Sequence, residues 1–242
     1  MNGFTVVTYQ KSESIGWVTL NRPDKLNVYN TQMRDELYQI MEAVRYDPEV
    51  EGVVLQGAGD RAFCAGADLT EFGTAPSPAI ARKVRWQRDI WGLFLELKKP
   101  LVGALHGYVL GSGVEIAMLC DIRIASEDAV FGMPELSRGL IPAAGGTQTI
   151  TRALGMGNAL ETLLTGRYLS AHEAHAAGLV NRVVSREQLL PETKEVMVKM
   201  LNLNPLIATH IKQAIVRGMD MPIEKALELE TKLARMLIST KK

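Results

Sequence analysis

The sequence predicts an α/β fold. Short apolar segments alternate with segments of helical apolar spacing as far as about residue 145, and the connections between them are short. After Val184 only helical spacing continues. A chain of 242 residues is long enough for one large domain, or for one domain with an appendage. We therefore expect an α/β core followed by a helical C-terminal region.

The N-terminal elements are predicted to be a hairpin and a helix. Residues 4–9 and 17–20 are rich in β-branched and aromatic residues around a polar break, which is typical of two paired strands. A turn cluster at residues 21–25 separates them from a helix that begins at Thr31 and ends at Asp47 and Pro48. Its apolar residues recur at helical spacing: Met33, Leu37, Ile40, Met41 and Val44.

The core continues as a short buried strand, a glycine loop, a long helix, a strand, a second glycine loop, a helix and a strand. These elements are predicted at residues 53–55, 64–68, 77–97, 101–105, 107–113, 114–119 and 122–125. Three further helices are predicted at residues 189–200, 205–216 and 223–237. These three helices are predicted to form a helical appendage that serves oligomerisation.

Composition excludes several classes of protein. The 27 basic and 27 acidic residues balance, which argues against nucleic-acid binding. Two cysteines, Cys64 and Cys120, cannot form a multi-disulfide framework, so we expect free thiols and a cytoplasmic location. The most apolar segment has only 15 uncharged residues between Lys99 and Glu115, fewer than the ~20 of a membrane span. No signal peptide and no membrane association are predicted.

Metal and dinucleotide sites are not predicted either. His172 and His175 are three residues apart, whereas a zinc-binding HExxH motif needs four. Gly111 and Gly113 lack the third glycine of a dinucleotide fingerprint, because Ile116 stands there.

Two glycine-containing loops precede predicted helix starts, at residues 65–68 and 111–115. The first N–H groups of a helix have no intrahelical acceptor, so two converging loops can form an oxyanion hole. From spacing alone, two ordinary tight turns explain the same pattern.

Two glutamates are unusual because apolar residues surround them. Glu115 lies in the otherwise apolar segment 114–120, and Glu135 follows Pro134 beside apolar residues. Two carboxylates in an apolar pocket divide acid and base roles when their surroundings separate their pKa values. The alternative from the sequence alone is one salt-bridged glutamate and one surface glutamate.

Together these segments resemble the crotonase superfamily, the enoyl-CoA hydratase/isomerase family. The resemblance covers residues 4–237 and rests on the order and spacing of several motifs. These are Leu20–Asn27, Ala62–Leu69, Lys99–Glu115, Phe131–Glu135, Ile141–Gln148, Leu164–Ala171 and Gly178–Val184.

The resemblance implies a crotonase-like spiral of ββα repeats over residues 1–185. Residues 186–242 then form the helical region that builds a homotrimer, or a hexamer as a pair of trimers. A last helix of the family is missing from this sequence. The implied partner is an acyl-CoA thioester, with coenzyme A as part of the substrate and no separate cofactor or metal.

The implied activity is that of an enoyl-CoA hydratase, a hydro-lyase. The backbone N–H groups of Ala67 and Ser112 would form the oxyanion hole, Glu115 would orient and deprotonate water, and Glu135 would protonate the α-carbon. The implied substrate contacts are Lys25, Leu26, Val28, Ala65, Gly66, Asp68, Leu69, Gly111 and Ala143.

Three residues depart from the family pattern, namely Tyr29, Ser112 and Ala143. The alternatives are therefore a Δ3,Δ2-enoyl-CoA isomerase in which Glu135 alone shuttles a proton, another crotonase-type enolate reaction, or a non-catalytic acyl-CoA-binding protein.

Overall fold

The computed structural model describes residues 3–239, and within them it contains ten strands and nine α-helices. The strands are β1 Val7–Ser12, β2 Ile15–Leu20, β3 Gly52–Gly57, β4 Ala62–Cys64, β5 Leu101–Leu105, β6 Tyr108–Leu110, β7 Ile122–Ser126, β8 Val130–Gly132, β9 Leu169–Ser170 and β10 Arg182–Val184. The helices are α1 Thr31–Tyr46, α2 Pro78–Gln87, α3 Ile90–Glu96, α4 Ser112–Ala117, α5 Gly146–Thr165, α6 Ala171–Ala176, α7 Leu189–Leu201, α8 Pro205–Gly218 and α9 Ile223–Ser239.

The strands form two sheets that share one repeating connection. The larger sheet has the order β1-β2-β3-β5-β7-β10, and the smaller has the order β4-β6-β8-β9. Each of three successive repeats adds one strand to the larger sheet and the next strand to the smaller sheet, and a helical segment follows. The strand pairs of these repeats are β3-β4, β5-β6 and β7-β8. This is the predicted spiral of ββα repeats. The predicted N-terminal hairpin is also confirmed, because β1 and β2 pair antiparallel.

The larger sheet is buried on both faces. In β3, Val53 and Leu55 belong to the main core with α1 and α3, whereas Val54 faces a second cluster that includes Met197 of α7. Parallel strands covered on both faces need apolar residues at successive positions. This explains why the predicted strands are nearly continuous apolar runs.

The long helix predicted at residues 77–97 is wrong, because the structure contains two helices there. Helix α2 ends at Gln87, and α3 begins at Ile90. The Asp89 carboxylate accepts a hydrogen bond from the Gly92 N–H at 3.0 Å and so caps a new helix. Apolar spacing continues across the break, so periodicity alone did not reveal it.

The second predicted glycine loop contains a strand, and another strand ends at the first residue of the first predicted loop. Residues 62–64 form β4, and residues 108–110 form β6, inside the segment predicted as the loop 107–113. Gly107 has a φ of 52°, and a side chain there would collide with the Arg61 carbonyl. The chain therefore turns sharply from one sheet into the other. Helix α4 begins at Ser112, two residues earlier than predicted.

Within the described residues only helices follow β10, and side-chain contacts attach them to the core. The Lys212 ammonium of α8 bonds the Asp121 carboxylate at 2.7 Å and the Lys99 carbonyl at 2.9 Å. The division into domains at residue 185 stays a prediction, and residues 240–242 of the second region lie outside the described residues. Cys64 and Cys120 are free and buried, as expected. Among residues 3–239, no helix has both the length and the apolar character that a membrane crossing requires.

We predict an acid-sensitive stability that depends on His106, which follows β5. His106 is 3% exposed, and its Nε2 atom has no partner among the described residues. Burial, and then the Arg186 charge, lowers the pKa of His106 to about 4. The unfolded chain binds the proton near pH 6.5, so the free energy of unfolding should fall as the pH is lowered from about 6.5 to 4. Urea titrations at several pH values should show His106→Gln losing up to about 3 kcal/mol of this dependence.

His172→Gln is the matched control, since His172 is exposed. A pH dependence that is the same in His106→Gln and in the unsubstituted protein would contradict the assignment.

Candidate active site

Three residues predicted at the site follow three neighbouring strands of the smaller sheet. Strand β6 lies between β4 and β8 and is parallel to both. Ala67 comes shortly after β4, Ser112 after β6, and Glu135 after β8. Because the carboxyl ends of parallel strands lie at one edge of a sheet, the topology brings these three residues to the same edge.

The first loop is held as a short extended pair. The Tyr29 N–H donates to the Gly66 carbonyl, and the Asp68 N–H donates to the Tyr29 carbonyl, each at 2.8 Å. This is a parallel bridge between Tyr29 and Ala67. In such a bridge the N–H of Ala67 points away from Tyr29. It donates to no acceptor among the described residues, so it is available to a ligand.

A partly buried ion pair holds this loop in place. The Arg22 guanidinium donates to the Val28 carbonyl at 2.7 Å and to the Asp68 carboxylate at 3.1 Å. Hydrogen bonds from the Thr70 hydroxyl and from Arg22 lower the pKa of Asp68. The structure thus uses Arg22 to fix the positions of residues 28 and 68. The sequence motif at residues 20–27 includes Arg22 but does not indicate that Asp68 is its partner.

Glycine is required where the second loop meets the first. Gly111 has a φ of 51°, and a methyl group built on it would lie 2.8 Å from Glu135 Oε1 and 3.7 Å from Gly66 Cα. A methyl group on Gly113 would collide with the Cys64 carbonyl. The two loops are therefore in backbone contact, and Glu135 lies against the second.

Ser112, between these glycines, is the first residue of α4. Its N–H has no intrahelical acceptor. The predicted oxyanion donors, Ala67 and Ser112, thus stand in two loops that touch each other. A serine in place of glycine leaves the backbone donor unchanged.

Glu115 is buried, at 3% exposed, and two backbone groups hold it. Its Oε1 atom accepts hydrogen bonds from the N–H groups of Ala144 and Gly146, each at 2.9 Å. It forms no ion pair with any described cation, so the salt-bridged alternative fails. Sequence reasoning named the exposed neighbour Ala143 and missed Ala144 and Gly146. The consecutive glycines 145 and 146 were the only feature of the sequence that could have indicated these backbone donors.

Glu135 is half-buried, and its Oε2 atom is buried with no partner among the described residues. Desolvation raises the pKa of Glu135, a hydrogen bond from its own backbone N–H lowers it, and the negative charge of Glu115 raises it, against a smaller opposing effect of Arg138. The two glutamates therefore interact electrostatically but differ in environment. Two N–H donors hold one carboxylate, and desolvation raises the pKa of the other.

The remaining predicted contacts lie around the first loop. The N–H of Ala65 donates to the Leu26 carbonyl at 3.0 Å, and this hydrogen bond joins two of the residues predicted to contact the substrate. Two further predicted contacts, Lys25 and Leu69, are exposed. Within residues 3–239, no group of three or more His, Cys, Asp or Glu side chains is placed to hold a metal ion.

We predict that the titration of Glu135 depends on Glu115. Glu115→Gln removes a nearby negative charge while keeping an oxygen for the two N–H donors. The pKa of Glu135 should fall, because the negative charge of Glu115 is one of the effects that raise it. Carboxyl titration by ¹³C NMR measures this. Glu161→Gln, on the exposed face of α5, is the control, and an unchanged Glu135 pKa in Glu115→Gln would refute the coupling.

Comparisons with known proteins agree with this geometry. Residues 10–242 match the family model described as enoyl-CoA hydratase/isomerase. The short-chain-enoyl-CoA hydratase of Clostridium acetobutylicum is 38% identical, over 97% of this chain and 90% of the relative. The crotonyl-CoA hydratase of Syntrophomonas wolfei is 35% identical, over 93% of this chain and 86% of the relative.

A solved structure gives the same result for the fold. The enoyl-CoA hydratase of Bacillus anthracis superposes with a TM-score of 0.92 at 32% identity, covering 98% of this chain and 92% of that one. The match spans the two sheets, the glycine loops and the C-terminal helices. The chain therefore belongs to the enoyl-CoA hydratase/isomerase family of the crotonase superfamily.

Proposed function

We propose that this protein is an enoyl-CoA hydratase that adds water reversibly across the α,β double bond of a 2-enoyl-CoA. The observation that carries the proposal is the pair Glu115 and Glu135, in two different environments, beside two touching loops with available N–H groups. An isomerase needs one proton-shuttling carboxylate, whereas hydration uses two groups that handle the protons of water.

The first step is polarisation of the thioester carbonyl. The N–H groups of Ala67 and Ser112 donate to the carbonyl oxygen and stabilise the negative charge that develops there. Removing one donor of this type costs about 10²–10³ in kcat. Electron withdrawal makes the β-carbon electrophilic, which prepares it for attack by water.

Glu115 and Glu135 then divide the proton transfers. Glu115 accepts a proton from the attacking water as the oxygen bonds to the β-carbon, and the electron pair of the double bond moves towards the thioester oxygen. Glu135 gives a proton to the α-carbon as the enolate collapses. The pKa of Glu135 is raised, which is the direction that a proton-donating group needs. The reverse direction dehydrates a 3-hydroxyacyl-CoA.

The substrate's coenzyme A portion is proposed to lie along the first loop. Leu26, Val28 and Ala65 would contact the adenine and pantetheine, and exposed Lys25 offers a positive charge to phosphate. Gly66, Asp68, Leu69, Gly111 and Ala143 complete the proposed contacts. Coenzyme A enters only as part of the substrate, and we propose no further cofactor and a cytoplasmic location.

The C-terminal helices are proposed to assemble the protein into a trimer or a pair of trimers. Helices α8 and α9 pack on each other yet leave large apolar side chains exposed. These include Ile211, Ile215, Ile223, Leu227 and Ile238. Large apolar side chains exposed in such number favour an interface, and a second copy of the chain is the occupant we propose.

We predict that each glutamate is required for hydration. Glu115→Gln and Glu135→Gln should each lower kcat for crotonyl-CoA about 10²–10⁴-fold, because each removes one proton transfer. Loss of absorbance of the conjugated thioester measures the rate. Affinity for butyryl-CoA, which lacks a double bond, should remain in both variants. Undiminished hydration in either variant would refute this mechanism.

A companion assay separates hydratase from isomerase. Under this proposal, 2-enoyl-CoA is converted faster than 3-enoyl-CoA, and Glu115→Gln lowers the rate of that conversion about 10²–10⁴-fold. Faster conversion of 3-enoyl-CoA that survives Glu115→Gln would instead favour the isomerase. Glu161→Gln should leave both rates unchanged.

We also predict that the assembly depends on the exposed face of α8. Ile211 and Ile215 are one turn apart and both more than half exposed. Replacing both by Glu would place charge in the proposed interface, so sedimentation should shift from the trimer or hexamer towards the monomer. An unsubstituted protein that sediments as a monomer at micromolar concentration would contradict the proposed assembly.

A further inference from the structure

Asn27 is a fully buried polar residue beside the first loop. It is 0% exposed, and it lies between Leu26 and Val28, two of the proposed contacts with coenzyme A. The proton transfers do not use it, and it is not among the predicted substrate contacts. Its amide is therefore a buried polar group to which the proposed mechanism assigns no role.

The hydrogen bonds of this amide fix it in one orientation. Asn27 Nδ2 donates to the carbonyls of Ala58 at 2.9 Å and Ala62 at 2.8 Å. Asn27 Oδ1 accepts from the Arg22 N–H at 2.8 Å. Carbonyl oxygens accept hydrogen bonds but do not donate them, so the amide cannot bind in the reversed orientation. Both of its N–H groups are used, and the side chain can therefore act on a substrate only through the backbone that it holds.

These bonds join two parts of the chain at the entrance to the first loop. Ala58 and Ala62 flank the turn between β3 and β4, and β4 runs directly into that loop. The Asn27 amide bridges both ends of this turn. The contact continues beyond β4, where the Ala65 N–H donates to the Leu26 carbonyl at 3.0 Å. The amide therefore fixes the position of the strand that precedes the first oxyanion donor.

The backbone conformation at Asn27 also depends on these contacts. Leu26 and Asn27 have φ values of 53° and 54°, in the left-handed region that residues other than glycine rarely adopt. Asparagine tolerates this conformation better than most residues, and strained residues persist where their surroundings fix them. Asn27 supplies part of that constraint, because its own N–H donates to the Arg22 carbonyl at 2.9 Å. The turn leads to Tyr29, which pairs with the residues on both sides of Ala67.

We infer that Asn27 is a positioning residue that sets the position of the Ala67 N–H in the proposed oxyanion hole. The inference rests on the proposed function, because the same thioester carbonyl is the acceptor. A displacement of about 1 Å in such a site can cost on the order of 10²-fold in rate. The Arg22–Asp68 ion pair and the Tyr29 bridge should remain when the amide is removed. Loss of the amide should therefore displace the first loop without unfolding it.

The test compares two substitutions of Asn27. Asn27→Asp keeps the shape of the side chain but places an oxygen, in place of the N–H donors, against the two carbonyls. Asn27→Gly keeps the left-handed backbone accessible and removes the amide altogether. Each should lower kcat for crotonyl-CoA about 10–10²-fold, while the affinity for butyryl-CoA changes less than about tenfold.

A spectroscopic measurement separates positioning from a loss of stability. Hydrogen bonds to a thioester carbonyl lower its infrared stretching frequency. Isotope-edited difference spectra of butyryl-CoA, labelled with ¹³C at the carbonyl, report this frequency for the folded protein with its ligand bound. In both variants the frequency should move back towards that of the free thioester. A role in stability alone would lower the melting temperature and leave the frequency and kcat of the folded protein unchanged.

Asn21→Asp is the matched control, because the Asn21 amide donates to the Thr5 carbonyl at 3.1 Å and holds no residue of the first loop. Its carbonyl frequency and kcat should equal those of the unsubstituted protein. An unshifted frequency in folded Asn27→Gly would overturn the inference, because asparagine would then serve the backbone conformation alone. If Asn27→Asp does not fold, Asn27→Gly decides, since it brings no charge to the two carbonyls. Asn27→Ser takes its place if the glycine variant does not fold either.

The two proposals fail in different ways. A protein that binds butyryl-CoA with a lowered carbonyl frequency but hydrates no enoyl-CoA contradicts the proposed function, and the variants still decide the role of Asn27. A bound carbonyl whose frequency equals that of the free thioester contradicts both the oxyanion hole and the role of Asn27.

Discussion

The backbone contact between the 64–66 segment and the Gly111–Gly113 turn sets the geometry on which the site depends. Side chains on Gly111 or Gly113 would meet Glu135 or the Cys64 carbonyl, so only glycine permits the approach. This contact brings Ala67 and Ser112 into adjacent loops, and it leaves Glu135 against the second loop. Moving these two loops apart would separate the proposed oxyanion donors from each other and from the carboxylate.

The repeat architecture supplies that contact. Strands β4, β6 and β8 are parallel neighbours, and each ends just before one of the proposed functional residues. Three repeats therefore deliver three groups to one edge of the smaller sheet. The larger sheet, buried on both faces, provides the rigid support that a site built on backbone groups requires.

The two carboxylates illustrate how environment assigns roles to identical side chains. The N–H groups of Ala144 and Gly146 hold Glu115, whereas Glu135 keeps a buried oxygen without a partner. Burial and the neighbouring charge raise the pKa of Glu135. Under the proposed function, this difference lets the pair divide the two proton transfers of a hydration.

The sequence by itself determined the α/β class, the N-terminal hairpin, the two glycine loops and the two glutamates, because apolar periodicity and glycine placement are local signals. Only the tertiary structure decided the break at Asp89, the strand inside the second glycine loop, the Arg22–Asp68 ion pair and the donors to Glu115. Each of these depends on groups far apart in the chain or on a cap that competes with continued periodicity. The ring of Trp91 is the clearest case, because it packs edge to face against Tyr29, which lies more than fifty residues earlier in the chain.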